Sequence, residues 1–138
     1  MADEQGIVTG LVLRERRNFS GGTERVPALR LEAKDVPSGE RTTITAKPGE
    51  AFRGLEIEIE SGLDEFNVHA IAVDGEEQLV SSADGIPAYV LHLNSLHFPF
   101  TTKDDGAMVM VVQNMGAEKK TFRAFILGRV RNQWEETP

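Results

Sequence analysis

Leu55-Glu56-Ile57-Glu58-Ile59-Glu60 alternates without a break, aliphatic at every odd position and glutamate at every even one. Successive side chains of a β-strand point to opposite faces, so this stretch as a strand has one greasy face and one acidic face. Wound into a helix, the same glutamates would spread around the axis and some would have to be buried. The stretch therefore predicts a strand with one wet face, an arrangement common in antiparallel sheets and rare in parallel ones.

Working outward, other segments fit the same scheme. Residues 7–13 are β-branched and alternating, and residues 29–33 and 42–46 are shorter candidates. Residues 66–73 lead directly into Asp74-Gly75, a two-residue hairpin signal, with residues 76–81 as the return strand. Residues 107–113 (Ala-Met-Val-Met-Val-Val-Gln) and 121–130 are apolar on both faces. They are expected to pair as a central hairpin through the charged loop at 114–120, with a second sheet, a loop or a neighbouring subunit covering them. Turn chemistry recurs at Gly21-Gly22, Pro37-Ser38-Gly39, Lys47-Pro48-Gly49-Glu50 and Lys103-Asp104-Asp105-Gly106. Pro87 favours one short helical turn within residues 86–93. Pro99, which cannot donate to a ladder, makes residues 96–100 an edge strand. No alternation of helix and strand appears, which argues against a parallel α/β sheet. The prediction is an all-β fold: an antiparallel β-sandwich, jelly-roll-like, with at most one short helix. It occupies a single domain over residues 1–138, with 131–138 as a surface tail.

Composition narrows the function. Of 138 residues, 40% are hydrophobic and 27% charged, the balance of a folded globular chain. No apolar run approaches the roughly 20 residues of a membrane span, so no membrane partner is expected. The first residues are acidic and polar where a secretory signal has a basic start and an apolar stretch; the expected location is the cytoplasm or a virion. The absence of cysteine excludes disulfides and thiolate chemistry. A net charge of −7 repels nucleic-acid backbones, and the local basic groups, Arg14, Arg16 and Arg17, then Arg123, Arg129 and Arg131, are few. Nucleic acid is not an expected partner.

The chemistry-bearing residues do not converge on a motif. His92 and His97 are five apart, which matches no zinc pattern, and His69 would need a carboxylate from elsewhere. No metal or other cofactor is expected. Ser61, Ser81, Ser82 and Ser95 lie outside any Gly-x-Ser-x-Gly elbow. Glu56, Glu58 and Glu60 read as a solvated or contact face, opposite in sign to the arginines of 14–17 and 129–131, which subunit docking can use. Asp104-Asp105-Gly106 lacks the spaced oxygens of a calcium loop, and Gly21-Gly22 lacks the Lys-Ser/Thr of a phosphate cradle. The expectation is a non-enzymatic structural or assembly protein: a virion capsid, decoration or spike component that forms a homo-oligomer or sits on a larger protein shell. Met108, Met110, Phe122 and Arg129 are the candidate interface residues. The alternative is a carbohydrate- or other ligand-binding module using Trp134 and Tyr89 as its aromatic platform.

Overall fold

The computed structural model describes residues 8–17, 20–80 and 84–131. Trp134 and most of the expected surface tail lie outside these residues. In chain order the elements are β1 (Val8–Thr9), β2 (Val12–Arg17), β3 (Thr23–Val36), β4 (Arg41–Lys47), β5 (Phe52–Ser61), β6 (Phe66–Val73), β7 (Glu76–Val80), β8 (Ile86–Pro87), α1 (Ala88–Leu91), β9 (Met108–Asn114) and β10 (Lys120–Val130). They form a β-sandwich. One sheet runs β1-β4-β9-β6-β7, with β8 also on β6, and the other runs β2-β3-β10-β5. All pairings are antiparallel except β1 with β4. The short helix at α1 has Pro87 at its N-cap, where the missing N–H is no loss.

The period-two patterns hold on the inner faces of β4, β9 and β10, but in β6 a bulge between Val68 and Ala70 turns Ile71 and Val73 inward in place of Ala70 and Ala72, which unbroken alternation would have set beside Phe66 and Val68. Leu29, Leu31 and Ala33 of β3, Ile57 and Ile59 of β5 and Phe122, Ala124 and Ile126 of β10 meet Ile44, Ala46, Val68, Ile71, Met108, Met110 and Val112 from the other sheet in one buried cluster. Phe66 and Phe122 pack ring to ring at 5.2 Å. Full burial of each large side chain here contributes about 1.5–3 kcal/mol. Asp74 and Gly75 both have positive φ, the twist a two-residue hairpin needs, and β6 pairs with β7 across them.

Three expectations fail in instructive ways. The runs at 107–113 and 121–130 do not pair with each other: β9 lies between β4 and β6, β10 between β3 and β5, in different sheets. Their apolarity on both faces marks two central strands, and the loop between them crosses the sandwich. Asn114 anchors that crossing: its buried amide donates to the carbonyls of Val36 and Glu118 and accepts from the Gly116 N–H. The single strand expected at 7–13 breaks at Gly10 into β1 and β2, one in each sheet. Residues 96–100 form no continuous strand; isolated bridges, Glu56 to Ser95 and Arg53 to Phe100, and single hydrogen bonds such as Leu96 N–H to the Leu55 carbonyl tie this stretch to β5.

Bulges account for the remaining irregularities. Between β10 and β5 the register skips Leu55: Leu127 faces Glu56 and Gly128 faces Gly54. The extra residue reverses the alternation, so Phe52 and Gly54 face inward on even numbers while Ile57 and Ile59 do so on odd ones. Leu55, expected on the same face as Ile57 and Ile59, is only half-buried. At this bulge the backbones come so close that a Cβ on Gly128 would overlap the Arg53 carbonyl and reach 3.0 Å from the Phe52 ring. Gly128→Ala is expected to destabilise the fold by about 2–3 kcal/mol, the cost of overpacking a tight core. Urea denaturation measures it, and an unchanged midpoint would show that the two strands can separate freely here.

Candidate functional site

The outer face of the four-stranded sheet is where the chain concentrates its charge. β5 presents Glu56, Glu58 and Glu60, β2 presents Arg14 and Arg16, and Arg123 of β10 stands opposite Glu32 of β3. β2 and β5 are at opposite ends of the strand order, yet their side chains meet. The Arg14 guanidinium reaches Glu58 at 2.9 Å and Glu60 at 3.3 Å, and Arg16 reaches Glu56 at 3.3 Å. Arg123 binds Glu32 at 2.6 Å and Glu60 at 3.2 Å, so Glu60 joins the two arginines into one network. The hydrogen bond that Arg14 donates to Glu58 raises the Arg14 pKa above its ordinary value, with Glu60 adding to it. Glu32 and then Glu60 do the same for Arg123.

Under this network lies a second, smaller apolar cluster of Ala28, Phe125 and Leu127, with Val26 against it. Arg14 covers it, its guanidinium stacked 4.0 Å from the Phe125 ring centre. The outward apolar side chains of β10 are thus covered from within the chain. Of the arginines whose sign suggested docking between subunits, Arg14 and Arg16 pair with these glutamates within the one sheet.

Beside the network a groove of about 280 Å³ is lined by Glu15, Arg16, Glu56, Glu58, Leu93 and Leu127. Leu93 follows α1 in a left-handed backbone conformation, φ 62°, and is 59% exposed. Its neighbours Tyr89 and Val90 are also exposed, at 60% and 47%. Sequence reading identified Tyr89 and missed the other two; no pattern in the sequence shows that a leucine will take a conformation glycine and asparagine prefer.

The remaining expected residues are scattered. Met108, Met110 and Phe122 are fully buried in the main core. They hold one sheet against the other and cannot touch a companion copy, which corrects their reading as interface residues. Arg129 is exposed near the end of β10, away from them. Tyr89 stands on α1, exposed. The histidines also lie apart in their bonding. His69 shares a 2.8 Å hydrogen bond with Gln113, whose amide donates onward to the Gly39 carbonyl, so the Gln113 oxygen accepts from the His69 Nε2–H. His92 Nδ1 accepts from the Ile59 N–H at 2.9 Å, and His97 is exposed. Among the described residues no three His, Asp or Glu side chains are grouped to hold a metal ion, and no helix is long and apolar enough to cross a membrane.

No protein-family model matches the chain, and neither a curated protein nor a solved structure matches it.

Replacing Arg14 by Ala uncovers Phe125 as well as breaking two ion pairs. The expected loss is about 1–2 kcal/mol. The Arg14/Glu58 coupling in a double-mutant cycle should be about 0.5–1 kcal/mol and shrink at high salt. Lys in place of Arg14 keeps the charge but not the flat stacking group, and should restore only part of the loss. A coupling independent of salt would show that the pair contributes through packing alone.

Proposed function

We propose that the protein is a non-enzymatic assembly protein, a β-sandwich unit that joins copies of itself, as a virion capsid, decoration or spike component does. The observation that carries this reading is the apolar group Tyr89, Val90 and Leu93, three exposed side chains within five positions. The left-handed backbone at Leu93 costs a non-glycine residue on the order of 1 kcal/mol. Its side chain gains little burial in return. Neither term of folding favours leucine there, whereas contact with a second molecule supplies the missing burial. Val12 and Leu13, on the terminal strand of the four-stranded sheet, are exposed as well, at 46% and 56%.

The strand order supports the finer reading of the fold. β3-β10-β5 in one sheet and β4-β9-β6-β7 in the other follow from antiparallel pairs wound together, with residues 93–101 running beside β5 in the place of a further strand. That nesting is compatible with a jelly roll, an architecture used in capsid shells and in lectins. Fold alone does not assign function, and the exposed group weighs more here. The buried polar side chains support a structural role: Asn114 and Thr101 bond to backbone groups that hold loops in place.

A second reading, a carbohydrate- or other ligand-binding module, is favoured by the exposed Tyr89 ring, which can stack on a sugar face. The groove beside Leu93, with its carboxylates, would supply hydroxyl partners.

Sedimentation velocity separates the two. Wild type is expected to form a discrete oligomer, and the Tyr89→Ser/Leu93→Asn double variant a folded monomer with an undiminished denaturation midpoint, because asparagine suits the left-handed conformation better than leucine. A wild type that stays monomeric across concentration, with glycan-array binding abolished by Tyr89→Ala, would replace the assembly reading with the second.

A further inference from the structure

β5 ends its sheet in the strand order, and an edge strand offers unpaired N–H and C=O groups to any other chain. Here residues 92–101 take up those groups as a strap. The N–H groups of Leu93, Leu96 and Thr101 donate to the carbonyls of Ile57, Leu55 and Phe52, at 2.7, 2.7 and 2.8 Å. At the two ends of the strap a side chain does the accepting. Thr101 Oγ1 accepts from the Phe52 N–H at 3.1 Å, and His92 Nδ1 accepts from the Ile59 N–H at 2.9 Å. The two ends differ in chemistry. A hydroxyl oxygen accepts at any ordinary pH, whereas an imidazole nitrogen accepts only while it carries no proton.

We propose that His92 is a protonation-operated latch on the edge of β5: the neutral ring holds the strap closed beside α1, and the charged ring releases it. A proton added at Nδ1 sits on the line along which Ile59 already donates. Two donors then oppose each other, and the ring must leave. Leu93 is the next residue, held at φ 62° by its own bond to Ile57, so release also lets that backbone relax. His92 is half-buried, which leaves solvent protons a route to it without unfolding.

Charged and titratable groups surround the Ile59 bond on several elements. α1 has no acidic residue in its first turn and no basic residue in its last. On β5, Glu58 and Glu60 flank Ile59, and Glu56 lies further along; all three are bound by arginines. β6, packed against α1, contributes His69, which bonds to Gln113. β2 places Glu15 and Arg16 along the groove beside Leu93, and the strap itself carries His97. The latch needs no assumption about assembly or ligand.

The test is nuclear magnetic resonance on the full chain, from about pH 8 down to about pH 5, the range in which histidines commonly titrate. At the upper pH the His92 ring should show its proton on Nε2 and a bonded Nδ1. On acidification the Ile59 and Leu93 amides should shift with the same midpoint as the His92 ring. Their protection from hydrogen exchange, corrected for intrinsic rate, should fall by at least about tenfold. The Thr101 amide at the far end should hold. His92→Asn keeps a side-chain acceptor that does not titrate and should abolish the response. Ile59 and Leu93 amides that stay protected while the His92 ring titrates would overturn the latch. So would a ring that takes no proton above about pH 5, or the same response in His92→Asn.

Discussion

Met108, Met110 and Val112 of β9 and Phe122, Ala124 and Ile126 of β10 are buried in one cluster between the sheets, and each of these strands is hydrogen-bonded on both sides. Every longer strand hangs on one of the two: β4 and β6 on β9, β3 and β5 on β10. The burial of that shared apolar layer drives the fold, since it is the term that offsets the entropy of ordering both sheets. Asn114, at the point where the chain leaves one central strand for the other, converts the crossing into a bonded corner. Its three side-chain hydrogen bonds leave no polar atom of the buried amide group without a partner.

What the sequence shows clearly is which way side chains face. The alternation at 55–60 reads as a strand and is one, and Asp74-Gly75 reads as a hairpin and is one. What it does not show is which strands are neighbours. Residues 107–113 and 121–130 are equally apolar whether they pair with each other or form the middles of separate sheets, and only the second occurs. The same gap hid the role of Met108, Met110 and Phe122, because core and interface call for the same residue types. Arg14 and Arg16 recur with the same spacing of two as Glu56, Glu58 and Glu60. Their pairing within the chain was half legible; recognising it needed the knowledge that β2 and β5 belong to one sheet. Bulges such as the one at Leu55 leave no mark in a single sequence, because the extra residue is defined by its partner strand.

The outer face of the four-stranded sheet shows why charge and grease sit together there. Phe125 and Leu127 give β10 an outward apolar face that would otherwise be wet. Arginine covers it economically, laying its flat group on the ring while its edge binds carboxylates from β5. The network therefore acts less as an independent source of stability than as a lid on a small second core. Tyr89, Val90 and Leu93, by contrast, stay exposed, with Leu93 at the rim of the same groove that Arg16, Glu56 and Glu58 line.

The pairing of Phe122 with Ala33, and of Ile126 with Leu29, has a consequence for how the molecule is made. A chain emerging from the ribosome presents β3 and β5 long before the strand that must lie between them. Until the last part of the chain is released, half of the sandwich has no centre, and its greasy strands stand open to any other nascent chain nearby. Synthesis at the pace of roughly 5–20 residues per second stretches that interval to several seconds. A truncation before residue 120 removes the keystone strand altogether.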